Sequence, residues 1–323
     1  MMVKFRSYMA LLAVICLVVP VTAADSGGYA GAFLQLSVQP RAAGMGNAYT
    51  AVADDATGLF FNPAAAAQIR RFTFGGAYRD MSLDRSLQQL AIIFPVRDEA
   101  AIGISAELAS MSGIQGRTSK GEPTEELDNL DAVISITFAR KFSDIVSLGG
   151  NARYYHKKLV SESAYSAGFD IGGLLHLDKE SLLPENSPID LLRVGAVVKN
   201  LAAKYPWSTG TYWSSHGGLG TNIEDKVPLT VVVGASALGL GRKLLLAADA
   251  EKTEYKTIKL NVGGELKVLG HAALRAGLAE GRPAFGLGLF SKFGSVDMEI
   301  DIALEEARNL GGWETIIGSY WQF

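Results

Sequence analysis

Between Ile258 and Val268 the chain reads IKLNVGGELKV, and its side chains divide into two rows. Ile258, Leu260, Val262, Leu266 and Val268 fall on one face, and Lys259, Asn261, Glu265 and Lys267 on the other. A period of two is the mark of a β-strand with one apolar and one polar face. Ser295 to Leu304 repeats it, with Val296, Met298, Ile300 and Ile302 opposite Asp297, Glu299 and Asp301. Less regular alternation predicts further strands at about 71–79, 87–94, 101–110, 130–140, 146–156, 165–177, 193–200, 228–237, 244–251, 271–278, 283–291 and 313–323, about fourteen in all. Their lengths cluster near the ~9–11 residues of a tilted strand that crosses a bilayer, rather than the ~5–6 of soluble sheets.

The connections sharpen the reading, because outer-membrane barrels alternate short turns on one side with longer loops on the other. The odd-numbered connections include two long polar stretches, Met111 to Asn129 and Leu201 to Lys226. Most even-numbered ones are brief, Asp178 to Leu192 being the exception. The last strand ends on Tyr320-Trp321-Gln322-Phe323. In a sandwich this would be an exposed apolar edge; in a barrel it is a paired strand ending at an aromatic girdle. A secreted sandwich or propeller would use the same alternation, but strand length and unequal connections favour the barrel, and no blade-like repeat is present. The expected fold class is all-β, a transmembrane antiparallel β-barrel of about 14 strands over residues 71–323.

Lys4 and Arg6 precede the apolar run Met9 to Val21 and the small residues Thr22-Ala23-Ala24, the layout of a secretory signal peptide, with cleavage expected after Ala23. Cys16, the single cysteine, lies in that run, so the mature chain is expected to have neither disulfides nor cysteine ligands. Losing Lys4 and Arg6 takes the 30 basic residues to 28 against 33 acidic ones, a formal charge of about −5. Without a basic cluster to track phosphates, nucleic acid is not an expected partner.

Candidate chemistry is sparse. His156, His176, His216 and His271 stand at no metal-ligand spacing, so neither a metal nor a cofactor is expected. Gly116 to Gly121 has the glycine spacing of a phosphate loop, but Glu122-Pro123 stands where Lys and Ser/Thr are needed. It reads as a loop tip. His216 beside Ser214 and Ser215 is the nearest approach to a hydrolase site, but neighbouring positions do not make a triad. No enzyme is expected. Arg153, Asp170, Lys199, Asp249, Lys259, Glu265, Lys267, Asp297, Glu299 and Asp301 fall on polar strand faces and should line the lumen.

Residues 24–70 do not alternate. Asn62 suits a helix N-cap and Pro63 the first helical position, which predicts a short helix over Pro63 to Gln68 leading to the first strand near Arg71. Arg41-Ala42-Ala43-Gly44-Met45-Gly46-Asn47-Ala48-Tyr49, followed by Ala53-Asp54-Asp55-Ala56-Thr57 and Phe60-Phe61-Asn62-Pro63-Ala64, resembles the N-terminal hatch of FadL-type outer-membrane transporters, and most closely their PorV/PorQ branch. The resemblance implies a fourteen-stranded outer-membrane barrel with the N-terminal segment folded inward as a plug. FadL-type members pass fatty acids or other hydrophobic compounds, whereas PorV-like members act with the type IX secretion system.

Three expectations follow. As a transporter of hydrophobic small molecules, the protein should have an apolar pocket near Leu59, Phe60 and Phe61, with Asp54, Asp55, Asn62 and Pro63 capping helices or fastening the hatch. As a surface-attachment component for secreted proteins, it should use Tyr205, Trp207, Tyr212 and Trp213 as docking anchors. An enzyme would need a histidine converging with Ser or Asp. Other expected partners are outer-membrane lipid and the barrel assembly machinery, with Trp321 and Phe323 as the assembly signal.

Overall fold

The structure is a computed structural model describing residues 30–160, 162–178, 183–184, 187–208, 210, 218–307 and 311–323. The expected signal peptide, residues 1–23, lies outside them. The strands are β1 (Thr73–Met81), β2 (Arg85–Arg97), β3 (Ala100–Arg117), β4 (Pro123–Lys141), β5 (Val146–Leu159), β6 (Glu162–Asp178), β7 (Ile189–Leu201) and β8 (Lys204–Ser208). They continue with β9 (Asn222–Lys226), β10 (Thr230–Gly239), β11 (Leu244–Thr253), β12 (Ile258–Val268), β13 (Ala272–Ala279), β14 (Arg282–Phe293), β15 (Val296–Glu306) and β16 (Trp313–Gln322).

Fourteen of these form one closed antiparallel barrel, each paired with its sequence neighbours except that β7 pairs with β10 across the separate β8–β9 hairpin. Closure comes from β1 against β16, in register from Thr73↔Gln322 to Arg79↔Ile316. Closing the sheet satisfies every strand's backbone groups without an edge, which is what a bilayer requires. On β4, Ile134, Ile136 and Phe138 face outward and are more than half exposed, while Ser135, Thr137 and Ala139 between them are buried. The same alternation gives Ile300, Ile302 and Leu304 outside on β15, against buried Glu299, Asp301 and Ala303. An apolar outer belt around a closed barrel places the protein in an outer membrane.

Two expectations about the loops are corrected. Met111 to Asn129 is not a long loop: β3 and β4 run on through it, with Ile114↔Leu127 and Arg117↔Pro123 paired, and only the tip at 118–122 turns. Beyond the bilayer both strand faces meet water, so the alternation that marks a membrane strand disappears while the pairing continues. Leu201 to Lys226 likewise contains the β8–β9 hairpin.

A barrel of this size is wider than its own side chains can fill. Its interior is occupied by the chain from Gly31 to Ile69. This segment holds a 3-10 turn (Ala32–Gln35), an α-helical turn (Pro40–Gly44) and two more 3-10 turns (Ala56–Phe60 and Pro63–Gln68). The last is the helix predicted from Asn62-Pro63, and Asn62 Oδ1 accepts from Ala64 N at 3.1 Å as its cap. The interior core is built mainly of alanines from the segment packed on small wall residues: Ala56, Ala66 and Ala67 meet Ala91, Ala101 and Ala139, with Leu59 and Ile93 among them. At Met45-Gly46 the approach is closest. A Cβ on Gly263 would lie 2.1 Å from Met45 O, and one on Gly277 would lie 2.3 Å from Gly46 N, so the wall meets the segment backbone to backbone.

Candidate functional site

Arg41, in the helical turn, joins the segment to the wall. Its Nε and Nη2 meet Glu265 Oε2 and Oε1 at 2.8 and 3.1 Å, while Nη1 reaches Asp54 Oδ1 at 2.7 Å, Tyr49 Oη at 3.0 Å and Asp55 Oδ2 at 3.1 Å. The bidentate side is the strong geometry for an arginine and a carboxylate. Glu265 is shared with Arg275 on β13, 2.7 Å away, and Arg275 also meets Glu299 at 2.6 Å and Asp301 on β15. Arg193 on β7 holds the other side of Asp54 at 3.3 Å and donates to Val52 O at 2.7 Å. Burial alone would raise the Asp54 carboxyl, but Arg41 and Arg193 outweigh it and hold it well below the usual carboxylate range.

Asp54 and Asp55 therefore have separate jobs. Asp54 ties segment to wall. Asp55 works within the segment, accepting from Tyr49 Oη and Thr57 Oγ1, both at 2.5 Å, and from Gly58 N at 3.1 Å to cap the Ala56–Phe60 turn. Asn62 Nδ2 donates to Thr50 O at 3.1 Å and to Gly173 O on β6 at 3.0 Å. Pro63 sits against Gly149 and Gly172, where a Cβ on either glycine would overlap it.

The expected apolar trio divides. Leu59 is 2% exposed and points at the wall, its Cδ1 2.7 Å from where Gly103 would carry a Cβ. Leu59 lines neither of the two spaces described next. Phe60 and Phe61 remain half-buried and floor a cavity of about 80 Å³ whose walls include Leu34, Leu36, Val227, Glu107, Arg153, Lys199 and Asp249. Lys199 Nζ donates to Phe60 O at 2.8 Å and stands 5.6 Å above the Phe61 ring, fixing both in place.

A larger cleft, about 490 Å³, opens beside it at the barrel end away from the C-terminus. Phe33, Leu36, Met81, Leu83, Leu87 and Met111 supply its apolar surface, and Asn129 and Asp131 stand on its β4 wall. Leu36 borders both spaces. Arg79 closes one corner, donating to Ser37 O at 2.6 Å and pairing with Glu305 at 2.8 Å and Glu314 at 2.5 Å.

The docking anchors fare differently. Tyr205 is fully buried, packed against Tyr155 at 6.2 Å between ring centres and against Val227 and Leu34, so the β8–β9 hairpin turns this face inward over the lumen. It cannot act as an exposed anchor. Trp207 is partly exposed and donates from Nε1 to Asp225 at 2.9 Å, while Tyr212 and Trp213 lie outside the described residues, as do Ser214, Ser215 and His216. At the opposite end Phe323 N donates to Phe72 O at 2.9 Å, the two rings are 5.5 Å apart, and Trp321 pairs with Phe74.

Of the charges expected in the lumen, Lys267 is exposed and Asp297 sits at the rim beside Arg71, 2.6 Å away; the others are inside. Arg79, Arg193, Arg275 and Glu107 escaped sequence reasoning. Arg193 and Arg275 lie on β7 and β13, which carry Leu191, Gly195, Val197, Ala273 and Gly277 on an inner face that packs against the segment, and apolar or small residues on both faces hide the alternation.

No protein-family model matches the chain. No curated protein matches it either. Among solved structures, it is similar to the CymD monoaromatic hydrocarbon channel, with a TM-score of 0.57 and 14% identity over 89% of this chain and 98% of that one. It is also similar to the Pseudomonas putida toluene transporter TodX, with a TM-score of 0.53 and 13% identity over 88% and 97%. A deltaS2 mutant of TodX gives a TM-score of 0.55 at 12% identity over 88% and 98%. At these identities the likeness is one of fold, and the chain shares the closed-barrel fold of these channels.

Proposed function

We propose that the protein passes hydrophobic small molecules across the outer membrane, with residues 30–69 as its hatch. The observation that carries this reading is the pair of spaces that share Leu36. The cleft, at about 490 Å³, exceeds the ~150 Å³ that holds benzene in a protein core, and the inner cavity, at about 80 Å³, falls below it. A small apolar ligand would settle in the cleft first and reach Phe60 and Phe61 by displacing Leu36. Below them the segment fills the lumen, so onward passage requires the hatch to shift.

The fold of the hydrocarbon channels supports this reading. The residues that resemble the PorV/PorQ branch, Arg41 to Tyr49, Ala53 to Thr57 and Phe60 to Ala64, include those that fasten the hatch to the wall. They support a hatch, the element that both branches share, and supply no surface for a secreted protein. No catalytic step is part of the proposal.

The test is the double substitution Phe60→Ala with Phe61→Ala. Each ring is worth ~1.5–3 kcal/mol of apolar contact when fully buried, so binding of toluene to purified protein should weaken while heat-modifiable gel mobility shows the barrel intact. Unchanged toluene binding by a folded double variant would remove these rings from the path.

A further inference from the structure

On the face that meets lipid, the barrel wall has a low place. Register sets Leu246 of β11, Gly264 of β12, Ala276 of β13 and Phe285 of β14 in one row across the outer surface, with the two smallest side chains at its centre. In the next row toward the C-terminal end of the barrel, Leu244, Leu266 and Leu274 stand side by side. The low centre between these larger side chains is a groove of about 740 Å³. Every side chain it takes from the outer face is apolar; Glu265 and Arg275 beneath it point inward to the ion-pair network.

The groove runs to the rim and ends there at a patch of positive charge. Lys243 precedes Leu244 and Lys267 follows Leu266, and Lys267 N donates to Lys243 O at 2.9 Å, so the two lysines stand side by side at the end of the groove. Both are exposed, and neither has an ion-pair partner among the described residues; Lys267 Nζ lies 5.8 Å above the Phe290 ring. Arg242 beside them adds a third cation, and the Asp190 carboxylate, which accepts from Arg242 N at 2.9 Å, offsets one of the three. Elsewhere on this rim the charges are matched: Arg140 meets Glu99 at 3.5 Å, Lys141 meets Asp144 at 2.8 Å, and Asp297 takes Arg71 at 2.6 Å and Lys292 at 3.4 Å.

An apolar groove that ends at unmatched cations has the two parts of a phospholipid. The groove is several times the ~150 Å³ that holds benzene, room for a chain rather than a ring. A lysine at the edge of the apolar belt lays its stem along that surface and keeps its ammonium in the headgroup layer. There an anionic headgroup gains from each cation, whereas a zwitterionic one gains little. A second copy of the chain fits less well, because two-fold pairing would set the same positive patch against itself. We infer that the outer wall from β11 to β14 holds one anionic phospholipid, with an acyl chain over Gly264 and Ala276 and its phosphate at Lys243 and Lys267. The site lies outside the lumen and does not depend on the transport reading.

The experiment is native mass spectrometry of the purified barrel in detergent, supplied with phosphatidylglycerol or phosphatidylcholine carrying identical acyl chains. The parent should retain one phosphatidylglycerol, on the order of tenfold more than phosphatidylcholine. Lys243→Gln with Lys267→Gln should bring the two lipids level. Ala276→Trp, a change on the lipid-facing surface that fills the groove, should remove the bound phosphatidylglycerol, and heat-modifiable mobility checks that both variants fold. Equal retention of the two lipids by the parent overturns the inference, as does a preference that survives the lysine substitutions or retention that survives Ala276→Trp. A lipid-free dimer that Ala276→Trp separates would give the groove to a second copy and overturn it too.

Discussion

Arg41 and Glu265 are 224 residues apart in sequence and form a two-pronged ion pair at 2.8 and 3.1 Å inside the barrel. This pair joins the hatch to β12, and the same Glu265 continues through Arg275 to Glu299 and Asp301 on β15. Residues 30–69 are thus pinned by a network that reaches β12, β13 and β15, three of four consecutive strands of the wall.

Arg41→Gln should release that pin. Removing one member of a buried pair costs about 3–5 kcal/mol because the partner charge is left uncompensated. The barrel strands do not depend on Arg41, so heat-modifiable mobility should persist while single-channel recordings in planar bilayers show larger or more frequent openings than the parent. A variant as closed as the parent would mean that the pair does not hold the hatch.

Gly277→Val should displace the hatch without touching its charges. The new Cβ would fall 2.3 Å from Gly46 N and 2.4 Å from Met45 C, both backbone, so nothing flexible can give way. Limited proteolysis of folded protein should cut between residues 30 and 69 far faster than in the parent. Gly150→Ala, whose Cβ would meet only Asp170 O at 3.4 Å, should be cut at the parental rate.

Much of this architecture was legible in the sequence, and the limits have a physical pattern. All fourteen barrel strands fall where alternation put them, because a membrane strand between lipid and a polar lumen carries the contrast on every second residue. The Asn62-Pro63 cap also read correctly, since capping is a local matter. Alternation fell short twice: beyond the membrane, at 111–129, where both faces are wet and the strands run on unmarked, and along β7 and β13, where it located the strands but not their inward charges, because the inner face packs on the hatch and carries Gly195 and Gly277. The same packing concealed Arg193 and Arg275, so the ion-pair network was half visible. Leu59-Phe60-Phe61 read as one apolar unit, but the 3-10 turn Ala56–Phe60 buries Leu59 in the wall and leaves the two rings at the cavity.

Asp54's share of the hold on the hatch should depend on pH in one direction. Asp54 is depressed by Arg41 and Arg193, so its contribution is complete above the ordinary carboxylate pKa of ~3.9 and is lost as pH falls below it toward the lowered value. Asp54 itself therefore adds no pH dependence between neutral pH and about 5, and its share of any rise in conductance falls in stronger acid. Asp54→Asn should raise the conductance at neutral pH and flatten this acid response.

Uptake tests the central claim most directly. Cells that make the parent protein should accumulate radiolabelled toluene, supplied at low concentration, faster than cells with empty vector. Leu36→Asp places a charge at the boundary between the cleft and the cavity above Phe60 and Phe61. It should return uptake to the vector rate while the outer membrane holds the same amount of heat-modifiable barrel. Uptake that is identical with parent, with Leu36→Asp and with empty vector would contradict the account.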